Sequence, residues 1–400
     1  MVTLEALNAL SGDCLLLRYP GGDGKERLWI IDGGPKSETV DGKKIAVWKD
    51  VLLPRLKEIS PAKPLQVALG MVSHIDDDHI NGMQKLTSTL IKPPPGAPAA
   101  VKFSRFWFNS FDKLVGPKPE SAPEEAATAS LQLLVEELVP DIDDEHATPV
   151  MQSIGQGNLL AADIRSLVLQ GNQPINGLVV ARKGQPKILI EGAEVTVIGP
   201  LESRLEALRK EWAKAFKKPT KKVRQAALQE LFLPRKSQDK SVPNLSSIVV
   251  LVEVGGRKLL LTGDAHGDDI VSAWKELGLG ENPVSIDLLK MPHHGSIRNT
   301  TQPFLEFFVA DHYVFSADGK HDNPDAPTLE AVVKMHRNRK IVLHFTNQDV
   351  TWEEPYKLEK NNAKVHNLGE MLAALRAAYP GPWTANLRKP DAKSVVVELS

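Results

Sequence analysis

The sequence predicts a mixed α/β protein whose candidate site lies where strands end. Short apolar runs typical of strands alternate with segments of helical spacing. Imidazole and carboxylate side chains follow directly after one of the most apolar of these runs. The chain has 400 residues, of which 42% are hydrophobic and 25% charged, a composition typical of a globular protein with a large core. Length alone also allows two domains.

The first half of the chain is predicted to open with a β-hairpin. Residues 1–32 alternate apolar runs with Gly-rich turns, as hairpin strands do. Residues 47–59 carry apolar side chains at helical spacing, and the apolar run at residues 67–73 predicts a buried strand. The other elements predicted in this half are a strand at 103–109, a helix near 126–139 and a strand at 194–200.

The second half is predicted to alternate strands and helices again. Two strands joined at Gly255 and Gly256 span residues 248–263. The later elements predicted are strands at 286–291, 341–345 and 394–399, and helices at 327–338 and 368–378.

Residues 74–79, His-Ile-Asp-Asp-Asp-His, are the most informative stretch of the chain. They place His74, Asp76, Asp78 and His79 in a loop after the strand predicted at 67–73. Neutral imidazole together with carboxylate suits Zn, Mn or Fe better than Ca or Mg. The pattern therefore predicts a site for one or two divalent metal ions, with Zn or Mn favoured.

This motif resembles the HxHxDH motif of the metallo-β-lactamase fold, with Asp in place of the second His. The HxDxDH variant is similar to the soluble nuclease-like domain of ComEC-type competence proteins. Further segments agree with the family's order: Gly12–Leu17, Leu28–Gly34, Lys258–Asp264 and Asp287–Ser296. The resemblance implies an αββα sandwich, forming one domain over 1–400 with insertions at about 116–150 and 201–243.

The resemblance also implies roles for single residues. The metal ligands would be His74, Asp76, Asp78, His79, Asp264 and His294. Asp264 would bridge two ions, as in two-metal hydrolysis, although an Asp after a strand can also merely cap a helix. Asp78 would serve catalysis too, and Asp32 would orient a ligand.

His293 and His294 are adjacent, and neighbouring side chains on an extended segment point to opposite sides. Only one of them is then expected to bind metal. We expect His294 to be the ligand and His293 to have a catalytic role as a second-layer or phosphate-contacting group. Ser296 and His321 are expected to contact substrate.

The chain departs from the family pattern in two places. A further ligand His is missing, so Asn109 or Asn244 could supply an oxygen instead, and a mononuclear enzyme stays an alternative. His146 falls in the right interval but lies in an acidic loop. Ala326 stands where relatives have another His, a role that His321 could take over.

Residues 201–243 form a basic segment that is predicted to be helical. One interpretation is a solvated surface insertion. The other is a clamp for an anionic substrate, in which Lys217 and Lys218 contact that substrate.

The formal net charge of −1 gives no global attraction to nucleic acid or membrane. Cys14 is the only cysteine, which excludes an intrachain disulfide and Cys-rich zinc sites. No signal peptide or membrane-spanning stretch is visible, so a cytoplasmic location is expected.

Three functions remain open from the sequence. The first is a metal-dependent phosphodiesterase or nuclease, with nucleic acid or another phosphodiester as the partner. The second is a hydrolase of small esters, lactones or lactams, because one fold hosts many chemistries. The third is a binding module without catalysis.

Overall fold

Two β-sheets packed face to face form the centre of the protein in the computed structural model. The structure describes residues 1–40, 42–61, 64–95, 99–110, 147–169, 171–175, 177–206 and 242–400. Within these residues, the first sheet has the strand order β19-β1-β2-β3-β6-β7, with β8 also paired to β6. Its strands are β1 Val2–Leu7, β2 Leu15–Pro20, β3 Glu26–Ile31, β6 Leu65–Val72, β7 Val101–Phe103, β8 Phe106–Phe108 and β19 Ser394–Leu399.

The second sheet has the order β18-β15-β14-β13-β12-β11-β10-β9 among the described residues. Its strands are β9 Ile188–Ile190, β10 Ala193–Gly199, β11 Val249–Val254, β12 Arg257–Leu261, β13 Val284–Lys290, β14 Phe308–Phe315, β15 Val342–Phe345 and β18 Thr384–Leu387. Two small hairpins lie outside both sheets, β4 Glu38–Val40 with β5 Lys43–Ile45, and β16 Thr351–Lys357 with β17 Lys364–Asn367.

Helices cover the outer face of each sheet. Their bounds are α1 Leu53–Ile59, α2 Asp77–Ile91, α3 Ala147–Ser166, α4 Val242–Leu245, α5 Gly267–Glu276, α6 Gln302–Phe307, α7 Ala326–His336 and α8 Leu368–Ala378. A π-helical turn, Val47–Leu52, leads into α1. Helices α1 to α3 share a core with the first sheet, and helices α5 to α8 share one with the second.

A third core lies between the two sheets, which fixes the order of layers. Trp29 and Leu69 from the first sheet pack there with Val250, Leu259 and Leu288 from the second. The sequence of layers is helix, sheet, sheet, helix. The αββα sandwich predicted from the sequence is confirmed.

Most predicted elements appear with small shifts of their ends. The strand expected at 67–73 is β6, Leu65–Val72, and the helix expected at 368–378 is α8. The helix near 126–139 and most of both insertions lie outside the described residues, so the single-domain prediction stays a prediction. Among the residues the structure does describe, no helix is both long and apolar enough to traverse a lipid bilayer.

Candidate metal centre

The parallel strand pairs gather polar side chains at one end of the sandwich. Strands β3 and β6 run parallel in the first sheet, and β12, β13 and β14 run parallel in the second. Asp32 follows β3, His74 follows β6 and Asp264 follows β12. Because the carboxyl ends of parallel strands meet at one edge, these residues lie together, as ligands at such strand ends commonly do.

The loop expected at residues 74–79 is shorter than predicted. Helix α2 begins at Asp77, so Asp78 and His79 lie in its first turn. Asp76 occupies the N-cap position, but its carboxylate makes no capping bond. The positive end of the helix dipole favours carboxylates at this position.

Close backbone contacts fix the first turn of α2 against the first sheet. The Gly33 N–H donates to the His79 carbonyl at 2.6 Å, and the Asp13 N–H donates to the Asp78 carbonyl at 3.1 Å. A Cβ on Gly82 would lie 2.0 Å from the Gly33 carbonyl oxygen, so only glycine allows this approach. The position of Asp78 and His79 is therefore set by packing of the backbone.

Asp32 connects the two histidines of the first sheet. Its carboxylate accepts hydrogen bonds from the Ser73 N–H and the Ser73 hydroxyl, both at 2.7 Å. Its Oδ2 lies 2.9 Å from His79 Nδ1, and the Ser73 hydroxyl lies 3.0 Å from His74 Nδ1. Asp32 is 1% exposed, so these contacts replace its hydration.

The expectation that His293 and His294 point to opposite sides is wrong. They lie in a short turn, Pro292–Gly295, with φ of 46° at His293 and 57° at His294. Opposite sides follow from an extended backbone, but both residues adopt the left-handed conformation. Their Nε2 atoms each lie 3.6 Å from Asp264 Oδ2.

Asp264 lies at the centre of four imidazoles. His79 Nε2 is 3.2 Å from its Oδ1, and His74 Nε2 is 3.9 Å from its Oδ2. Asp264 caps no helix, because His266 fills the N-cap of α5 and accepts from the Asp268 N–H. We call the following residues the ligand cluster: His74, Asp76, Asp78, His79, Asp264, His293 and His294.

Two further carboxylates complete the cluster. Asp76 Oδ2 is 3.7 Å from His74 Nε2, and Asp78 Oδ2 is 3.3 Å from His294 Nε2. Asp76 thus lies beside the His74 half of the cluster and Asp78 beside the His294 half.

The hydrogen bonds at Nδ1 orient the histidines toward Asp264. The Asp32 carboxylate accepts at His79 Nδ1, and Asp13 Oδ1 lies 3.2 Å from His294 Nδ1. The Ser73 hydroxyl, which donates to Asp32, has lone pairs left for the Nδ1–H of His74. In each case the proton belongs on Nδ1 and the lone pair of Nε2 faces a carboxylate.

The His293 imidazole is also oriented by a hydrogen bond at Nδ1. Its Nδ1 lies 3.0 Å from Asn299 Oδ1, and the Asn299 amide is oriented by donating to the Asp264 carbonyl at 2.9 Å. Asn244 Nδ2 also approaches His293 Nδ1, at 3.4 Å. The Asn299 contact is the shorter one, and it places the proton on Nδ1.

Lone pairs that face carboxylate oxygens require a proton or a cation between them. Nε2 of His74, His79 and His294 and Oδ1 of Asp264 are buried without a well-formed hydrogen bond to any described group. Buried polar atoms are otherwise almost always satisfied. The cluster therefore fits a divalent metal ion.

Charges inside the cluster lower the pKa of Asp264 and raise the pKa of His79. Burial disfavours ionised Asp264, but His79, His294 and His293 offset it and hold its pKa well below the usual value. Burial also opposes a charge on His79, yet Asp264, Asp78 and Asp32 hold the pKa of this imidazole well above its usual value. Without metal, protons supply the positive charge that a bound ion would supply.

Four buried residues, Asp13, His79, Asp264 and His294, have ligand atoms within 4.8 Å of one another. Asp13 differs from the other three because its Oδ2 lies 2.5 Å from Lys290 Nζ and its Oδ1 contacts His294 Nδ1. Its oxygens thus face the back of His294, away from the Nε2 atoms that converge on Asp264.

Several predicted site residues are not brought into the cluster. Asn109 is not an oxygen ligand, because its amide pairs with the Val179 backbone in both directions at 2.8 Å. His321 is exposed, and the Ser296 hydroxyl lies 3.4 Å from Asp325 Oδ2. Three further predicted positions lie outside the described residues: His146, Lys217 and Lys218.

Sequence reasoning missed five residues that support the ligands. They are Asp13, Ser73, Lys290, Asn299 and Ser316, all at most 2% exposed. Asp13 and Lys290 each carried one available signal, a charged residue next to a strongly apolar strand. Asn299 and Ser316 carried none, because their contacts depend on the tertiary fold.

Comparisons with known proteins yield structural likenesses alone. No protein-family model and no curated protein matches the sequence. A mutant of the CmlA β-hydroxylase is 11% identical with a TM-score of 0.36, covering 100% of this chain and 54% of that one. A protein of unknown function from Enterococcus faecalis is 12% identical with a TM-score of 0.30, covering 95% of this chain and 64% of that one.

A long form of RNase Z from yeast is 9% identical with a TM-score of 0.30, covering 90% of this chain and 38% of that one. The chain thus spans less than two thirds of each of these three structures. TM-scores this low do not establish a common fold, so the fold assignment rests on the sheets, helices and cores themselves.

Proposed function

We propose that the protein is a metal-dependent hydrolase that cleaves phosphodiester bonds, and that the residues around Asp264 would hold two divalent ions. The observation that carries this proposal is the convergence of four imidazole Nε2 atoms on one buried carboxylate. Their distances to Asp264 oxygens range from 3.2 to 3.9 Å. A carboxylate in that position is suited to bridge two cations.

The ligand cluster divides into two halves around Asp264. Asp78, His79 and His294 would hold one ion, and His74, Asp76 and His293 would hold the other. In this proposal His293 supplies the imidazole that the family pattern otherwise takes from a missing His. Each half then combines two imidazoles with one carboxylate, a donor set that suits Zn or Mn.

The protein's own groups orient the site. When bound, divalent ions supply an activated water at neutral pH and positive charge that stabilises the charge developing on a phosphoryl oxygen. Asp32 and Ser73 hold His74 and His79 with Nε2 toward the site, and Asn299 does the same for His293. Such supporting contacts fix ligand orientation and tautomer.

Two observations support a phosphodiester as the substrate class. The HxDxDH motif resembles a nuclease-like family, and the chain leaving the basic 201–243 segment runs directly into the site. Asn244 ends up 3.4 Å from His293 Nδ1, and the Ser247 hydroxyl accepts from the Asp264 N–H at 3.2 Å. Positive charge tethered there would attract a polyanion, so Lys217 and Lys218 keep their predicted role in substrate binding.

The test is an activity panel on Mn²⁺-loaded and Zn²⁺-loaded protein. Bis-p-nitrophenyl phosphate and a polynucleotide should be hydrolysed, and a chromogenic lactam should not. Asp264→Ala should abolish activity, whereas Asp23→Ala, in the exposed β2–β3 turn, should retain it. Hydrolysis of the lactam alone would favour the small-molecule alternative, and metal binding without hydrolysis would favour a binding module.

A further inference from the structure

Lys290 is a lysine in a position where an unpaired charge would be strongly destabilising. It is the last residue of β13 and is 1% exposed. The alternation of β13 places it on the same face as Leu288, which packs between the two sheets. A charge buried there needs a partner, because its lost hydration is otherwise not replaced.

That partner is Asp13, which is buried to the same extent. Lys290 Nζ lies 2.5 Å from Asp13 Oδ2, and both side chains are 1% exposed. The Ser316 hydroxyl donates to Asp13 Oδ1, which also lies 3.2 Å from His294 Nδ1. Both oxygens of Asp13 are therefore engaged on the side of His294 away from Asp264.

This arrangement connects the Lys290 side chain to a ligand through one carboxylate. Asp13 accepts the Nδ1–H of His294, which leaves the Nε2 lone pair toward Asp78 and Asp264. Asp78 and Asp264 are carboxylates as well, and they repel the charge of Asp13. Lys290 offsets this repulsion, so Asp13 can stay an acceptor in a buried position.

We propose that Lys290 and Asp13 form a positioning pair that holds His294 in its binding orientation and thereby sets the metal affinity of that half of the centre. This inference rests on the proposed metal centre and extends it. Both side chains are 1% exposed, and the shortest contact of Asp13 with a ligand histidine is the 3.2 Å one to His294 Nδ1, so the pair acts mainly through His294. Removal of the pair should weaken binding of the ion that Asp78, His79 and His294 would hold. Binding of the ion at His74, Asp76 and His293 should not change.

The experiment compares Zn²⁺ affinities by competition with a chromophoric chelator. The main variant is Asp13→Asn combined with Lys290→Met, which removes both charges and leaves neither one buried alone. It should fold without metal, yet bind one Zn²⁺ about 10- to 100-fold more weakly than the wild type does. The Co²⁺ absorption spectrum should change for that ion alone.

A matched control is Arg55→Met, which removes a partner of buried Glu5 in a separate ion-pair cluster. It should lower stability without changing either Zn²⁺ affinity. Should the double variant fail to fold, Ser316→Ala replaces it, with an expected loss of roughly 2- to 10-fold for the same ion.

The outcomes separate this inference from the proposed function. A folded variant with wild-type affinity for both ions would show that the pair is merely structural and overturn the positioning role. Ser316→Ala with unchanged affinities would do the same. A wild-type protein that retains no Zn²⁺ would overturn the metal centre itself, and the inference with it.

Discussion

Each sheet brings two histidines to Asp264, but the two sheets support them differently. In the first sheet, Asp32 contacts the Nδ1 atom of His79 and accepts hydrogen bonds from Ser73. In the second sheet, Asp13 contacts the Nδ1 atom of His294 and forms an ion pair with Lys290. His79 thus relies on neutral donors behind Asp32, and His294 relies on a buried ion pair.

The difference shows where each half is vulnerable. Neutral hydrogen bonds contribute modestly and can be lost one at a time, whereas a buried charge that loses its partner is strongly destabilising. The support of His79 should therefore tolerate single changes better than the support of His294.

The largest effect is expected where both halves meet. Asp264→Ala removes the shared carboxylate, so neither ion keeps its full ligand set. Activity should fall by more than the roughly 10²- to 10³-fold typical of losing one charge-stabilising group. Steady-state hydrolysis of bis-p-nitrophenyl phosphate measures this. His366→Ala, an exposed histidine, is the control, and equal losses in the two variants would contradict a bridging role.

The next-largest effect compares Lys290, which pairs with Asp13, with Asp32, which contacts His79. Lys290→Met should lower the free energy of unfolding of metal-free protein by about 3–5 kcal/mol, because Asp13 stays buried without a cation. Asp32→Asn should lower it by about 1.5–3 kcal/mol, the range for hydrogen bonds to a charged group. Urea denaturation after chelation gives both values. A larger loss for Asp32→Asn would reverse the proposed asymmetry.

A backbone change in α2 should disturb the ion that Asp78, His79 and His294 would hold. In Gly82→Ala the new Cβ would lie 2.0 Å from the Gly33 carbonyl, so α2 must shift, at a cost of about 1–3 kcal/mol. Asp78 and His79 move with the helix, and the affinity for the ion they hold should fall. Gly157→Ala in α3 is the control, since its Cβ would meet Ile75 at an ordinary 3.4 Å. Unchanged metal affinity in folded Gly82→Ala would contradict this account.

The smallest expected effect is a pH dependence of stability from His344, whose Nε2 contacts a second histidine and not a carboxylate. His344 Nε2 lies 2.9 Å from His312 Nδ1, and burial, aided by the charge of His312, lowers the pKa of His344 from 6.5 to about 3. Between pH 6.5 and about 3 the unfolded chain therefore binds more protons than the folded protein does. The free energy of unfolding falls as the pH drops below about 6.5.

The contribution of His344 should stay below about 1.4 kcal/mol per pH unit. His344→Gln should flatten the stability profile between pH 7 and 5 in thermal unfolding of metal-free protein. Parallel profiles for the variant and the wild type would mean that His344 is not held neutral.

The sequence predicts the ligands that follow β6 better than the histidine pair of the second sheet. His74, Asp76, Asp78 and His79 are contiguous, so a motif within six residues reveals them together. Helix α2 begins at Asp77, and its position depends on the contact of Gly82 with Gly33, which the local sequence does not reveal. That contact joins segments far apart in the chain.

The histidine pair of the second sheet, His293 and His294, depends on features that no local pattern reveals. The left-handed backbone of His293 and His294 brings both imidazoles to one side, whereas spacing alone predicts opposite sides. Asp13 and Lys290 lie 277 positions apart in the numbering and meet only because the two sheets pack face to face. The αββα layers, in contrast, are implied by the family resemblance that the motifs and their order carry.

The most direct test of the account is the number of metal ions per chain. Wild-type protein stripped with chelator, dialysed against Zn²⁺ or Mn²⁺ and analysed by mass spectrometry of the elements should hold two ions per chain. Asp264→Ala should hold fewer than one under the same conditions. A wild-type protein that binds no metal, or an Asp264→Ala variant that binds as much as the wild type, would contradict the central claim.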